Sequence, residues 1–372
     1  MVNLLLETTA SEVFKYIGYV LLSILALLIM IVIHEFGHYI SGKILGFKIK
    51  EFAIGFGPKL FKITNKKNGE VFSLRAIPLG GFCQFLGETD EEETKQVGSF
   101  ESMPAWKRII VLFSGAFFNF LSCIIIITLV FTFFGQLSPV VSSINKDSYI
   151  GTNNLLLEND AIISINGKYV NILSNDDLNN AFSKLEDEGI FTIIRDNKVM
   201  DVKIKKSNFD DVNENGEYVL DENGNKITKY GIGITVSIKY VKLNFFRAIP
   251  RAIMYSFFIV YKIFVAIGML FTGKIALFKS TGGMGTIVKT MTESVSAGFG
   301  VFSYIICIIS ANLAVMNLLP IPSLDGSKIL LTIVESITRK KLNRKVIAII
   351  DVLSILTLLI IAIVSDITQF LS

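Results

Sequence analysis

The 372-residue chain contains two histidines, and they stand four residues apart in Ile33-His34-Glu35-Phe36-Gly37-His38. On a helix, residues four apart share a face, so both imidazoles can reach one metal ion, and Glu35 between them can take a proton from an attacking water. Zinc suits this set. It accepts imidazole nitrogen, keeps an open position, and lowers the pKa of a water to about 7. With only two histidines available, this spacing around a glutamate arises by chance on the order of once in several thousand chains, so a coincidence is set aside.

Zinc in a hydrolytic site takes a third protein ligand. No further histidine exists, so the donor must be a carboxylate or a cysteine. Asp325 stands out in Asn317-Leu-Leu-Pro-Ile-Pro-Ser-Leu-Asp-Gly326, at the end of an apolar run broken by Pro320 and Pro322. Prolines free backbone groups, which is tolerable at membrane depth only where protein or a polar cavity satisfies them. Glu335 and Asp351 rival Asp325 on spacing alone. Cys83 and Cys307 are conceivable thiolate donors, although the three cysteines match no ligand spacing and read as small apolar fillers.

These residues need elements to position them. Half of the chain is apolar and only 18% is charged, too little charge to cover a soluble protein of this length. The net charge of +4 gives no nucleic-acid footprint, and no nucleic-acid partner is expected. Apolar runs at about Phe14 to Ile33, Ile109 to Phe134, Phe299 to Leu319 and Val346 to Val364 are each long enough to cross a bilayer. Glu7 and Glu12 precede the first run and no small-residue cleavage site follows, so it is expected to be kept rather than removed as a signal peptide. Basic residues crowd 41–108 and 339–345, which places both loops in the cytoplasm and the long middle segment outside.

That middle segment, 136–240, is polar with short β-like stretches at 161–165, 191–194, 199–204 and 231–236, and a helical stretch near 176–185. A fifth apolar run, 252–271, carries Lys262, with Arg247 and Arg251 before it. If it crossed, an odd number of passes would put His34 and Asp325 at opposite surfaces. An interfacial position is therefore expected.

The sequence resembles the site-2 protease family of intramembrane zinc metalloproteases, in particular the bacterial regulator-of-sigma-E protease-like branch. His34-Glu35-Phe36-Gly37-His38 is similar to that family's first motif and Asn317 to Gly326 to its second. The resemblance implies His34, His38 and Asp325 as zinc ligands and Glu35 as the catalytic base. It also implies substrate contacts at Asn317, at Asn312 in an upstream Ser-x-Asn element, and at Gly80 and Gly81 in Pro78-Leu-Gly-Gly81 of a membrane hairpin spanning Val71 to Leu86. Trp106-Lys-Arg108 with Gly115 and Asn119 resembles the start of the family's second membrane helix. Ala116 and Gly283 stand where the family has proline. Glu158 to Gly167 resembles part of a single PDZ domain, with Asn159 in place of a glycine before Asp160.

The fold expected is an α-helical integral membrane protein with four transmembrane helices, a membrane-associated β-hairpin and one extracytoplasmic PDZ-like α/β domain. Its parts are a first membrane part (1–135), the PDZ-like domain (136–240) and a second membrane part (241–372). The resemblance implies a multi-pass cell-membrane enzyme with its site toward the cytoplasmic side, cleaving transmembrane segments of anti-sigma factors or signal-peptide remnants. A metal transporter is the rival reading. It would be expected to show internal repeats and acidic residues along a path, and neither is visible.

Overall fold

The computed structural model describes residues 10–88, 92–213, 217–274 and 282–371. The chain forms two compact units, Met1–Ile127 with Ala252–Ser372, and Thr128–Arg251.

In the first unit, α1 (Ala10–Leu45) runs without proline until Gly46 turns to φ +85°. There the N–H of Phe47 reaches back to the Gly42 carbonyl at 2.9 Å, closing the helix end. Helix α2 (Ala105–Phe133) starts after Pro104, whose carbonyl accepts from the N–H groups of Lys107 and Arg108. The two helices cross closely on small residues: a Cβ on Gly37 would meet the Ser114 carbonyl oxygen at 2.5 Å, and the Ser41 and Ser114 hydroxyls share a 2.7 Å hydrogen bond. Away from α1, Phe113 and Phe117 of α2 are exposed, as expected of lipid contact.

Between α1 and α2 lies a hairpin of β1 (Ile49–Thr64) and β2 (Val71–Phe85). The hairpin expected over Val71 to Leu86 is thus only its second strand. Both strands are bent, so residues 51–54 pair on one side with 81–84 and on the other with 71–74, while 59–64 pair with 71–75. Segment 81–85 is left at the sheet edge, and among the described residues no further strand pairs with it. Buried Glu51 locks the fold of the strands, accepting from Ser73 and Arg75 through Oε1 and from Lys59 through Oε2. Burial would raise its carboxyl, but these three donors hold it down at about 2.

The remainder of this unit is α5 (Phe245–Phe271), which begins in the second unit, then α6 (Met284–Ala297), α7 (Phe299–Asn317), α8 (Asp325–Thr338) and α9 (Arg344–Leu371). Five described helices, α1, α2, α5, α7 and α9, are long and apolar enough to cross a membrane. Helix α6 runs along α1, with Thr292 against Ser23 at 3.3 Å and Ser296 beside Glu12 and Tyr16. Hydropathy hides α6 because Lys289, Glu293 and five Thr or Ser residues interrupt its apolar face. Its N-terminus is held by α9: Asp366 accepts from the N–H groups of Gly283, Gly285 and Thr286. Gly283 supplies an N–H there that a proline would lack.

The second unit is an α/β fold around β3 (Gln136–Ile144), β4 (Ala161–Ile165), β5 (Lys168–Tyr169), β6 (Glu188–Arg195), β7 (Lys198–Lys205) and β10 (Ile234–Val241). The strand order is β10-β3-β4-β6-β7, with β5 paired to β4. Helices α3 (Tyr149–Thr152) and α4 (Asn175–Ser183) belong to the same unit. Its core includes Val141, Ile150, Leu156, Ile162, Phe191 and Ile193. A separate ribbon, β8 (Ser207–Asp210) with β9 (Thr228–Gly231), frames the turn at Asp221–Asn225. Asn159 takes φ +71°, a left-handed conformation that asparagine tolerates better than most residues. Asp160 beside it is buried and accepts two hydrogen bonds from Arg195. The unit reaches to Arg251 because that buried guanidinium bonds Gln136, Asn171 and the Val170 carbonyl.

Candidate active site

His34 and His38 lie one turn apart on α1 and turn the same edge toward α8. His34 Nε2 is 3.0 Å and His38 Nε2 3.2 Å from Asp325 Oδ2, and the two imidazole nitrogens are 3.2 Å apart. Three donors, two nitrogens and one carboxylate oxygen, therefore converge within reach of one ion. Both rings are buried, 7% and 6% exposed, so their orientation is set by protein rather than by water. His38 Nδ1 donates to the Val111 carbonyl at 2.7 Å, which leaves Nε2 with its lone pair for a metal. This donor set and its buried, pre-oriented geometry fit zinc.

Room for the two rings comes from Gly115 on α2. A Cβ there would lie 2.5 Å from His38 Nε2 and 2.7 Å from His34 Nε2. Sequence reasoning gave Gly115 no role in the site, because the need for a bare backbone appears only once α1 and α2 cross.

Asp325 is the first residue of α8, where a helix N-terminus favours negative charge. Its loop is fastened from α9: Asp351 accepts the Ser323 N–H at 2.8 Å, and the Ser354 hydroxyl donates to the Pro322 carbonyl at 2.9 Å. Ser323 itself is held at φ +76°, a strained value for a non-glycine residue. Gly326 permits the tight packing, since a Cβ there would sit 2.3 Å from the Leu318 carbonyl oxygen. The two rival carboxylates are engaged elsewhere, Asp351 in this fastening and Glu335 with Arg108 and the Leu342 N–H. Cys307 is buried and donates to the Ser303 carbonyl. Burial pushes the Cys83 thiol well up, and negative Glu35 adds to the effect, so Cys83 is a poor thiolate donor.

Glu35 points from α1 to the hairpin, where its Oε2 accepts the Cys83 N–H at 2.9 Å. The cleft between them, about 670 Å³, is lined by the two histidines, Glu35, Gly80, Gly81, Asn317 and Asp325 among others. Gly81 keeps its wall flat, since a Cβ would meet the Ala53 carbonyl oxygen at 2.9 Å. The far end of the edge strand is tied to α8: Glu88 accepts from the Phe85 N–H and from Lys328, three residues beyond Asp325. Asn312, in contrast, is exposed and is not among the residues lining the cleft. Five residues on a helix turn about 500°, which leaves Asn312 some 140° around α7 from Asn317.

A profile of Peptidase family M50 matches residues 22–361. A Fusobacterium nucleatum protein provisionally named as a zinc metalloprotease is 30% identical over 332 residues, covering 87% of this chain and 90% of its own. Similarly named proteins of Clostridium perfringens and Clostridium acetobutylicum are 29% and 30% identical, covering 92% and 93% of this chain and 95% of theirs. The chain belongs to peptidase family M50, whose members are zinc-dependent peptidases.

Proposed function

We propose that this protein is a site-2-type intramembrane zinc endopeptidase that cleaves transmembrane segments of membrane proteins in regulated intramembrane proteolysis. The observation that carries the reading is the convergence of His34, His38 and Asp325 beside Glu35, in a cleft walled by an edge strand and set among long apolar helices. The resemblance in the two motifs suggests anti-sigma factors and signal-peptide remnants as substrate classes, within a regulator-of-sigma-E protease-like branch.

Zinc, held by His34, His38 and Asp325, would polarise the scissile carbonyl and make water a nucleophile at neutral pH. Glu35 takes the proton of the attacking water and returns it to the leaving amine. Asn317, in the cleft wall, holds the substrate backbone or the developing oxyanion. A helical substrate hides its carbonyls in its own hydrogen bonds and must be drawn out. Segment 81–85, at the sheet edge with Gly80 and Gly81 at its start, receives it as an added strand.

In the proposed topology α1, α2, α7 and α9 cross the membrane, while α5 and α6 together make an inward excursion from the outer face and back. The basic loops 41–108 and 339–345 then lie in the cytoplasm, on the side of the catalytic site, and 136–240 outside. Segment 136–240 is read as a PDZ-like domain. Its edge strand β10 and helix α4 border a cavity of about 800 Å³ lined by Leu178, Phe182, Phe209, Ile234 and Val236, suited to an extended chain.

The test compares membrane proteomes of cells carrying the active enzyme and Glu35→Gln. Transmembrane stubs should accumulate only with the variant, and indistinguishable proteomes would sink the reading.

A further inference from the structure

Asn119, on α2 next to the metal ligands, is 0% exposed, and its Oδ1 is buried without a hydrogen-bond partner. An orphaned buried carbonyl oxygen is costly. The same side chain places Nδ2 3.4 Å from Nδ1 of His34, and Nδ2 of Asn317 lies at the same distance from that nitrogen.

The chemistry of the ring decides what this nitrogen must be. An imidazole that offers its Nε2 lone pair to a cation carries its proton on Nδ1. His38 obeys this rule by donating Nδ1–H to the Val111 carbonyl. His34, with Nε2 turned toward Asp325 and His38, has an Nδ1–H to place in a buried setting, and neither amide NH2 group can accept it. One donor without an acceptor therefore stands beside one acceptor without a donor. A half-turn of the Asn119 amide exchanges its two ends, which are nearly equal in size, and joins them.

We infer that Asn119 is a positioning residue for zinc binding, accepting the Nδ1–H of His34 through Oδ1 and so fixing that ring's tautomer and orientation. The inference rests on the metallopeptidase reading. It separates the roles of the two asparagines: Asn119 holds the ligand, and half-buried Asn317 keeps its amide for the cleft. The support is itself anchored, because the Asn119 carbonyl accepts the hydroxyls of Ser122 and Ser310, tying α2 to α7 at that level. Outer partners of this kind contribute about 10–100-fold to metal affinity.

The test uses the full-length protein in detergent and measures zinc affinity by competition with a chelator. Asn119→Leu should weaken zinc by about 10–100-fold, and Asn119→Asp, which offers oxygen at either end, should restore it to within a few-fold. Undiminished affinity in Asn119→Leu, or equal loss in Asp and Leu, would overturn the assignment. A second measurement needs no variant to fold. With only two histidines in the chain, ¹⁵N-histidine spectra of the zinc-loaded wild type resolve each ring. Both should be protonated at Nδ1, and a His34 protonated at Nε2 would refute the inference by itself. Wild type that takes up no zinc would instead defeat the metallopeptidase reading, and this inference with it.

Discussion

Glu35 on α1 and Cys83 in strand β2 are joined by a 2.9 Å hydrogen bond from the Cys83 N–H to Glu35 Oε2. The carboxylate that lies between the two candidate metal-ligating histidines thus rests on the sheet edge. One backbone donor fixes the distance between the proposed hydrolytic centre and the proposed peptide-holding wall. The Glu88–Lys328 pair does the same at the other end of the strand, by linking it to the helix that begins with Asp325.

Removing the base while leaving the ligands separates chemistry from metal binding. Glu35→Gln should keep about one zinc per chain and lose roughly 10²–10⁴-fold in cleavage of a transmembrane substrate. Wild-type turnover by this variant would transfer the base role to another residue.

Asp325→Ala should strip zinc and abolish cleavage, because two imidazoles alone leave the ion undercoordinated. Cys83→Ala should change little, since its amide rather than its thiol makes the contact with Glu35. Metal analysis of the two purified variants decides the matter, and zinc lost only from the cysteine variant would reverse the assignment.

Gly115→Ala puts a methyl group 2.5 Å from His38 Nε2, against rings that are almost fully buried. Zinc affinity should fall by about tenfold or more as the rings are displaced. Gly18, whose added Cβ would meet nothing within 4 Å, is the control, and Gly18→Ala should leave affinity unchanged.

Cys83 should resist alkylation at mildly alkaline pH. Burial and the negative Glu35 both disfavour its thiolate, so its thiol titrates above the ordinary range and the reactive form is scarce at pH 8. Glu35→Gln removes the second cause and should speed labelling, followed by mass spectrometry across a pH series. Rapid labelling of the wild type at pH 7 would contradict the stated environment.

The α5–α6 excursion can be read by single-cysteine labelling in a chain whose native cysteines are replaced. Lys242, before α5, and Phe299, after α6, should both react with an impermeant reagent from outside. Labelling of Phe299 only from the cytoplasm would show that α6 does not return the chain.

The HExxH spacing was sufficient to place His34 and His38 on one face, because helical periodicity is a local property. The broken run before Asp325 likewise pointed to that residue, because an intramembrane carboxylate beside two prolines needs a polar partner. The apolar runs gave the cores of α1, α2, α7 and α9 for the same kind of reason. Strand β1 escaped notice, since Gly55, Gly57 and Pro58 interrupt its alternation and its pairing partners are supplied by β2. Helix α6 fell below the hydropathy signal, because polar residues interrupt its apolar face. Asn312 looked like part of the site in linear order and lies on another face of its helix. The empty space at Gly115, the fastening of Ser323 by Asp351 and the nearness of Asn119 to His34 are visible only in the tertiary structure. Each depends on which atoms meet across tens to hundreds of residues, and a local sequence pattern records the constraints on its own turn or strand but not the packing of that element against another.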